Sequence, residues 1–349
     1  MGRRGDIRLK QTPLTAPRTG GIIEPEKGCA DMKIIEKKLI FPVESRVTES
    51  CHASSICMTG SGALLCAWFG GTAEKAPDVE IYLSRSEDGG ESWSRPEQVT
   101  RTEDVACWNP VLFCSGDETS LFFRRGKEIP EWRTYVMRSC DGGRSWSGEE
   151  ELVPGDASGG RGPVKNKPVL LSNGVLLAGS SHETAGRCWR AFADISADGG
   201  RTWTRGEYVN DGDDVKLIQP AVWEDGDGVH MLMRSVNGCV YRSDSGLARL
   251  EFCRAYPIDV PNNNSGIDAA VLPDGRVCLV CNPVTEERGR SPVSLLVSED
   301  GGKNFRKEFD LHDEAGCEFS YPAVIYAGGE LYITFTYKRR SVMFVRVGV

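Results

Sequence analysis

Ser86-Glu87-Asp88-Gly89-Gly90-Glu91-Ser92-Trp93 is a turn that this chain writes more than once. It returns as Ser139-Cys140-Asp141-Gly142-Gly143-Arg144-Ser145-Trp146 and as Ser196-Ala197-Asp198-Gly199-Gly200-Arg201-Thr202-Trp203. A worn copy is Ser298-Glu299-Asp300-Gly301-Gly302-Lys303-Asn304-Phe305. The Asp-to-Asp steps are 53, 57 and 102 residues, and the last is twice 51. A further copy is therefore expected midway, where Ser243-Asp244-Ser245-Gly246 stands without the box Asp and Trp. The chemistry of the box is that of a hairpin turn. Asp accepts hydrogen bonds from the backbone of its own turn, Gly takes positive φ without a steric penalty, and Trp covers apolar surface beneath. The box is structural, and none of its Asp residues is a candidate for catalysis.

A second repeat runs out of phase with the first. A polar residue is followed by Pro or Ala, small apolar residues, a Gly turn and an apolar strand. The copies begin at Asn109-Pro110, Lys167-Pro168, Gln219-Pro220, Asp268-Ala269 and Tyr321-Pro322, with a looser one at His52 in Cys51-His52-Ala53. Matching second strands are expected over 63–69, 120–123, 175–178, 229–233, 276–280 and 330–335. Asn173-Gly174, Asp274-Gly275 and Gly328-Gly329 are hairpin turn pairs. Six units of roughly 50 residues, each about four strands, predict an all-β, six-bladed β-propeller. A strand within Ile34–Phe41 is expected to close the ring beside a C-terminal strand over Val342–Val347, which hides the sheet edges. The expected organisation is a flexible N-terminal tail over 1–30 and one propeller domain over 31–349.

Composition narrows the function. Gly supplies 40 of 349 residues, well above the usual roughly 7% and consistent with many tight turns. A formal net charge of -8 argues against nucleic acid or an anionic membrane as partner. No apolar run approaches the length of a membrane-spanning helix. The first residues carry charge with no apolar stretch behind them, so no secretion signal is expected, and a cytoplasmic location follows as the expectation. Several of the 13 Cys residues, Cys57, Cys66, Cys278 and Cys281 among them, sit in apolar runs, where Cys acts as a small hydrophobe. With only four His, no metal site is expected, and no cofactor.

In a propeller the inner strands run the same way, so their starts meet at one mouth of the channel. His52, Asn109, Lys167, Gln219, Asp268 and Tyr321 would form a ring there, differing from blade to blade while their apolar followers do not. That contrast points to a ligand site. Arg234, at the end of an apolar strand, and Arg290, at the start of another, would lie near the same end. Arg grips a carboxylate with two parallel hydrogen bonds.

With these boxes and with Trp108-Asn109-Pro110, Lys165-Asn166-Lys167-Pro168, Asn264-Ser265-Gly266-Ile267-Asp268 and Glu318-Phe319-Ser320-Tyr321-Pro322, the chain resembles the sialidase (neuraminidase) superfamily over about 40–347. More narrowly it resembles the predicted-neuraminidase branch of Asp-box repeat proteins. The resemblance implies a retaining exo-glycosidase, most simply an exo-α-sialidase, with three Arg on the sugar carboxylate, a Tyr nucleophile aided by a Glu, and an Asp acid/base. Carried onto this sequence, Tyr321 is the nucleophile, Arg234 and Arg290 are two of the carboxylate ligands, and Asp78 is the acid/base. Two positions depart from the pattern. His52 stands where the first Arg is expected, and Ile218-Gln219 where the assisting Glu is expected. Glu318 or Asp268 would then assist Tyr321, and Lys167 would supply part of the missing positive charge. The implied ligand is a sialylated or other acidic oligosaccharide. Two alternatives stay open: a non-catalytic glycan-binding propeller, and a glycosidase or lyase acting on uronic-acid glycans.

Overall fold

The structure, a computed structural model, describes residues 32–349 except 103, 185, 187 and 286–288. The tail expected over 1–30 lies outside the described residues. Met32–Val349 form one compact unit of six four-stranded antiparallel sheets.

The inner strands are β2 (Ser50–Met58), β6 (Cys107–Ser115), β10 (Val169–Leu170), β14 (Leu217–Asp225), β18 (Asp268–Val271) and β22 (Phe319–Ala327). Each pairs with the next strand in sequence: β3 (Leu64–Gly71), β7 (Glu118–Arg125), β11 (Leu176–Glu183), β15 (Gly228–Ser235), β19 (Val277–Cys281) and β23 (Glu330–Tyr337). These second strands are covered on both faces, as their near-continuous apolar sequences require. Hydrophobic cores fill the spaces between neighbouring sheets; Leu279 and Ala269 of one sheet, for example, meet Trp223 and Leu232 of the one before. The closing sheet is ordered β1 (Lys33–Leu39), β24 (Ser341–Gly348), β23, β22. Lys33 lies opposite Gly348 and Leu39 opposite Met343, so the first described strand completes the last sheet as expected.

Each box lies just after a third strand. At the end of β4 (Glu80–Ser86), Ser86 Oγ donates to Asp88 Oδ1 at 2.7 Å and accepts from the Gly90 N–H at 2.8 Å. Asp88 in turn accepts the Ser92 N–H at 2.9 Å. Gly90 has φ +95°, and a Cβ there would overlap the Phe344 ring at 2.2 Å. The expected worn copy shifts by two residues. Ser245, not Ser243, ends β16 (Cys239–Ser245) as Ser86 ends β4, which puts Phe252 in the Trp place. Asp244 is instead tied to His230, Arg242 and Tyr256.

Four of the six inner strands share a bulge that sets the mouth. Register slips between His52 and Ser55, Trp108 and Val111, Ile218 and Ala221, and Ser320 and Ala323. The residues with positive φ inside these slips are Ala53, Asn109, Gln219 and Tyr321. Ala53 is therefore the counterpart of Tyr321, and His52 that of Ser320. The expected ring is corrected at this member: the bulge inserts a residue that counting from apolar followers does not see.

Candidate active site

A bulge re-aims a side chain at the cost of local strain. At Tyr321, φ is +53°. Its hydroxyl oxygen accepts from Arg234 Nη1 at 2.7 Å. Arg234 rises from the end of β15 and is held on every side. Its Nη1 also donates to Gln219 Oε1 at 3.0 Å, its Nε to Asn264 Oδ1 at 2.9 Å, and its Nη2 to the Asn264 carbonyl. The guanidinium carbons of Arg234 and Arg290 lie 5.3 and 5.6 Å from the Tyr321 ring centre. Structure thus brings Tyr321, Arg234 and Arg290 together from three sheets and the loops between them.

Glu318 enters the same cluster through its cations. Oε1 accepts from Arg290 Nη1 at 2.9 Å and from Ser320 Oγ at 2.7 Å, and Oε2 lies 3.0 Å from Arg339 Nε. Burial would raise its pKa, but the bonds from Arg339 and Ser320 and the Arg290 charge bring it below the usual glutamate value. Glu318 is therefore an ionised strut between two arginines. Arg339, in the β23–β24 turn, also binds Glu74 at 2.6 Å. Sequence reading missed Arg339. The only signal was the run Lys338-Arg339-Arg340 in the last hairpin, whose turn the topology brings to the mouth.

Lys165 was missed as well. Its Nζ is buried and donates to Asn166 Oδ1 at 2.9 Å, to the Ile267 carbonyl at 3.0 Å and to the Pro322 carbonyl. It sits 6.0 Å from the Tyr321 ring centre. Burial, with Lys167 and Arg234 nearby, pushes this amine down to about 7 against the pull of Asp268.

The other expected residues fall into different surroundings. His52 is buried, with its ring centre 4.2 Å from that of Tyr321 and Nδ1 2.9 Å from Thr336 Oγ1. Burial first, then Arg339, Arg290, Arg234 and Lys165, holds its pKa well below the usual value. It is a neutral wall of the site and supplies no positive charge at the position where the first Arg was expected. Asp268 is consumed: Lys167 Nζ lies 3.0 Å from each oxygen, and the Ala269 and Val324 N–H groups donate at 2.9 and 2.8 Å. Lys167 pairs there and lines a hollow with Pro168, Ala270 and Ile325, beyond the bulges and away from Tyr321. Its charge is spent on Asp268. Asn109 is buried in its own bulge. Gln219, in the corresponding bulge, holds Arg234. Asp78 is exposed on the loop after β3, where Oδ2 accepts from the Thr72 N–H at 2.9 Å and from its hydroxyl.

Three arginines and a buried lysine gather about one phenol, with Glu318 set between Arg290 and Arg339 and Glu74 on the far side of Arg339. That balance favours an anionic ligand, and the fork geometry of Arg favours a carboxylate. The phenol oxygen of Tyr321 stands within the same cluster.

A family model described as a BNR repeat-like domain matches residues 62–333. No curated protein sequence matches the chain. Among solved structures, a protein of unknown function from Dyadobacter fermentans aligns with TM-score 0.74 at 16% identity, over 92% of this chain and 100% of that one. A Hadza microbial sialidase aligns with TM-score 0.71 at 15% identity, over 90% of this chain and 68% of that one. A leech intramolecular trans-sialidase, solved with 2,7-anhydro-Neu5Ac, aligns with TM-score 0.70 at 13% identity, over 89% of this chain and 70% of that one. Likenesses at such identity concern the fold: a six-bladed propeller of the sialidase kind.

Proposed function

This chain belongs to the BNR repeat-like domain family, and from that premise we propose that it is a retaining exo-glycosidase for a terminal acidic sugar, most simply an α-linked sialic acid. The observation that carries this is the Tyr321 hydroxyl, bonded to Arg234 at 2.7 Å with Arg290 beside the same ring. Arg234, Arg290 and Arg339 hold the sugar carboxylate, Arg339 taking the part that His52 cannot. Glu318 keeps Arg290 and Arg339 apart and aimed. Tyr321 attacks the anomeric carbon. A phenol suits this substrate because the anomeric carbon already bears a carboxylate, which repels an anionic carboxylate nucleophile.

The test is a screen of fluorogenic sialosides against fluorogenic uronides, followed by Tyr321→Phe on whichever is cleaved. Loss of the nucleophilic oxygen is expected to lower kcat by a factor on the order of 10⁴ with thermal unfolding unchanged. Unaltered turnover in Tyr321→Phe overturns the assignment. Cleavage of uronides alone would move the substrate class and leave the nucleophile in place. Gln219, an amide beside Arg234 where a carboxylate was expected, favours a second reading, a glycan-binding propeller without turnover. Calorimetric binding of a sialoside that is never cleaved would mark that outcome.

A further inference from the structure

We propose that Glu183 is the proton-donating carboxyl of this mouth, a role that rests on the glycosidase reading and extends it. The carboxylates that the sequence offered are engaged elsewhere: Asp78 with Thr72, Glu318 with two arginines, Asp268 with Lys167 and two backbone N–H groups.

Glu183 ends β11 at the same end of the ladder at which β15 carries Arg234. Alternate residues of a strand share a face, and two neighbours identify the face that Glu183 shares. A Cβ on Gly179 would lie 2.4 Å from the Pro220 carbonyl, and Ser181 Oγ accepts from the Gln219 N–H at 3.3 Å. Gly179, Ser181 and Glu183 therefore look toward β14, each one step nearer the mouth. The intervening residues look the other way: Ser180 Oγ is 3.5 Å from Arg124 Nη2, and His182 Nε2 is 3.1 Å from the Gly160 carbonyl. Glu183 thus stands beyond Gln219, whose amide oxygen holds Arg234. Its Oε1 is buried and has no hydrogen-bond partner among the described residues. An orphaned buried acceptor is costly and marks a place where a ligand group or a retained proton belongs.

The ring supplies the second geometric argument. Neighbouring sheets pack in chain order around the channel, so the sheet of β11 is the third from that of β22 in either direction. Glu183 and Tyr321 come from opposite walls. A sugar seated between them can meet the two groups on opposite faces, as a displacement at the anomeric carbon requires of nucleophile and leaving oxygen.

The surroundings favour the protonated form. Burial raises the pKa of Glu183, and Arg234 from β15 and Arg124 from β7 oppose it. His182, the residue before it, is pushed down to about 4 by burial and by Arg124, and stays neutral. Asp156, in the segment before β10, lies on the His182 side, where Ser158 donates to its Oδ1 at 2.7 Å.

In the first step the Tyr321 oxygen bonds to the anomeric carbon and the phenol proton leaves to water. The glycosidic bond breaks with its electron pair going to the leaving oxygen, which takes the Glu183 proton. In the second step water attacks the same carbon and gives a proton to the Glu183 carboxylate. The phenolate departs with the electron pair of its bond and regains a proton from water.

The test uses full-length Glu183→Gln and Glu183→Asp with two glycosides of the same acidic sugar. One carries nitrophenol, which leaves without a proton, and the other an alkyl alcohol, which does not. Glu183→Gln is expected to lose on the order of 10²–10⁴-fold in kcat on the alkyl glycoside. On the nitrophenyl glycoside the loss should be under about tenfold, and the alkaline limb of kcat/KM should vanish. Glu183→Asp should restore part of both. Equal losses on the two substrates, or an unchanged alkaline limb, overturn the proposal. Infrared difference spectra of parent against Glu183→Gln read the proton without substrate. The parent should show a protonated carboxyl band that the variant lacks and that fades as pH rises. Absence of the band overturns the assignment to Glu183. A parent that keeps the band yet cleaves neither glycoside overturns the glycosidase reading instead.

Discussion

Gly266 lies against the nucleophile candidate itself. A Cβ there would sit 3.2 Å from Tyr321 Cδ2 and 3.3 Å from its Cα, closer than carbon atoms pack without one of them giving way. The φ of Gly266 is not in the left-handed region, so no positive-φ strain opposes alanine there, and the crowding falls on the backbone and ring of Tyr321. Overpacking of this kind costs about 1–3 kcal/mol, while a displacement of about 1 Å at a reacting group can cost on the order of 10²-fold in rate. Gly266→Ala is therefore expected to fold, with a modest fall in Tm and a far larger fall in kcat on the cleaved glycoside. A variant with full turnover would show that the ring position does not matter, and Tyr321 would lose its place in the reaction. The same residue scale explains why His52 serves as a wall. Burial first, then Arg339, Arg290, Arg234 and Lys165 around it, hold this imidazole in its neutral form.

The turn boxes act at the scale of the element. In Asp88, Asp141 and Asp198 the neighbouring Ser or Thr hydroxyl, then the backbone N–H of that same residue, hold the carboxyl well below the usual aspartate range. A group whose folded pKa is lowered stabilises the fold above its unfolded pKa, near 3.9, and that contribution is lost as pH falls below it. Replacing all three by Ala should lower Tm at neutral pH. It should also flatten the decline of Tm below about pH 4. Equal acid slopes in parent and variant would deny the boxes this role. These elements were legible because each copy repeats its own local chemistry. The same holds for the hairpins: Gly174 and Gly275 have φ +84° and +89°, as the Asn-Gly and Asp-Gly pairs predicted. The first inner strand was misaligned by one residue because a bulge leaves the alternation on either side intact and hides the inserted residue. Tyr321, Arg234 and Arg290 could be read from motif and position. Arg339 and Lys165 could not, since each owes its place to a turn or loop that the ring of sheets carries to the Tyr321 cluster and not to any spacing along the chain.

At the scale of the molecule, the ring is held by its rim and by its axis. The rim is the β1–β24 pairing, which makes the first described strand the outer strand of the last sheet. The axis is Lys165, whose single amine reaches Ile267 of the fifth sheet's entry and Pro322 of the last. Removing that amine by Lys165→Met has two opposed effects. The carbonyls it serves lose their donor, at about 1–3 kcal/mol for each one left buried and unpaired. The cost of burying a positive charge disappears at the same time. Their balance must vary with pH, because the folded state brings this lysine down to about 7 from its ordinary 10.5. Between those values the unfolded chain binds more protons than the folded one, so the contribution of Lys165 to stability rises with pH across that window. Urea unfolding of parent and Lys165→Met at pH 6.5 and 9.5 should therefore show the parent gaining on the variant at the higher pH. The gain should be at most about 1.4 kcal/mol per pH unit. A gap that is the same at both pH values would mean that the amine keeps its proton throughout, held by its three acceptors. The site beside Tyr321 would then carry one more full positive charge under all working conditions.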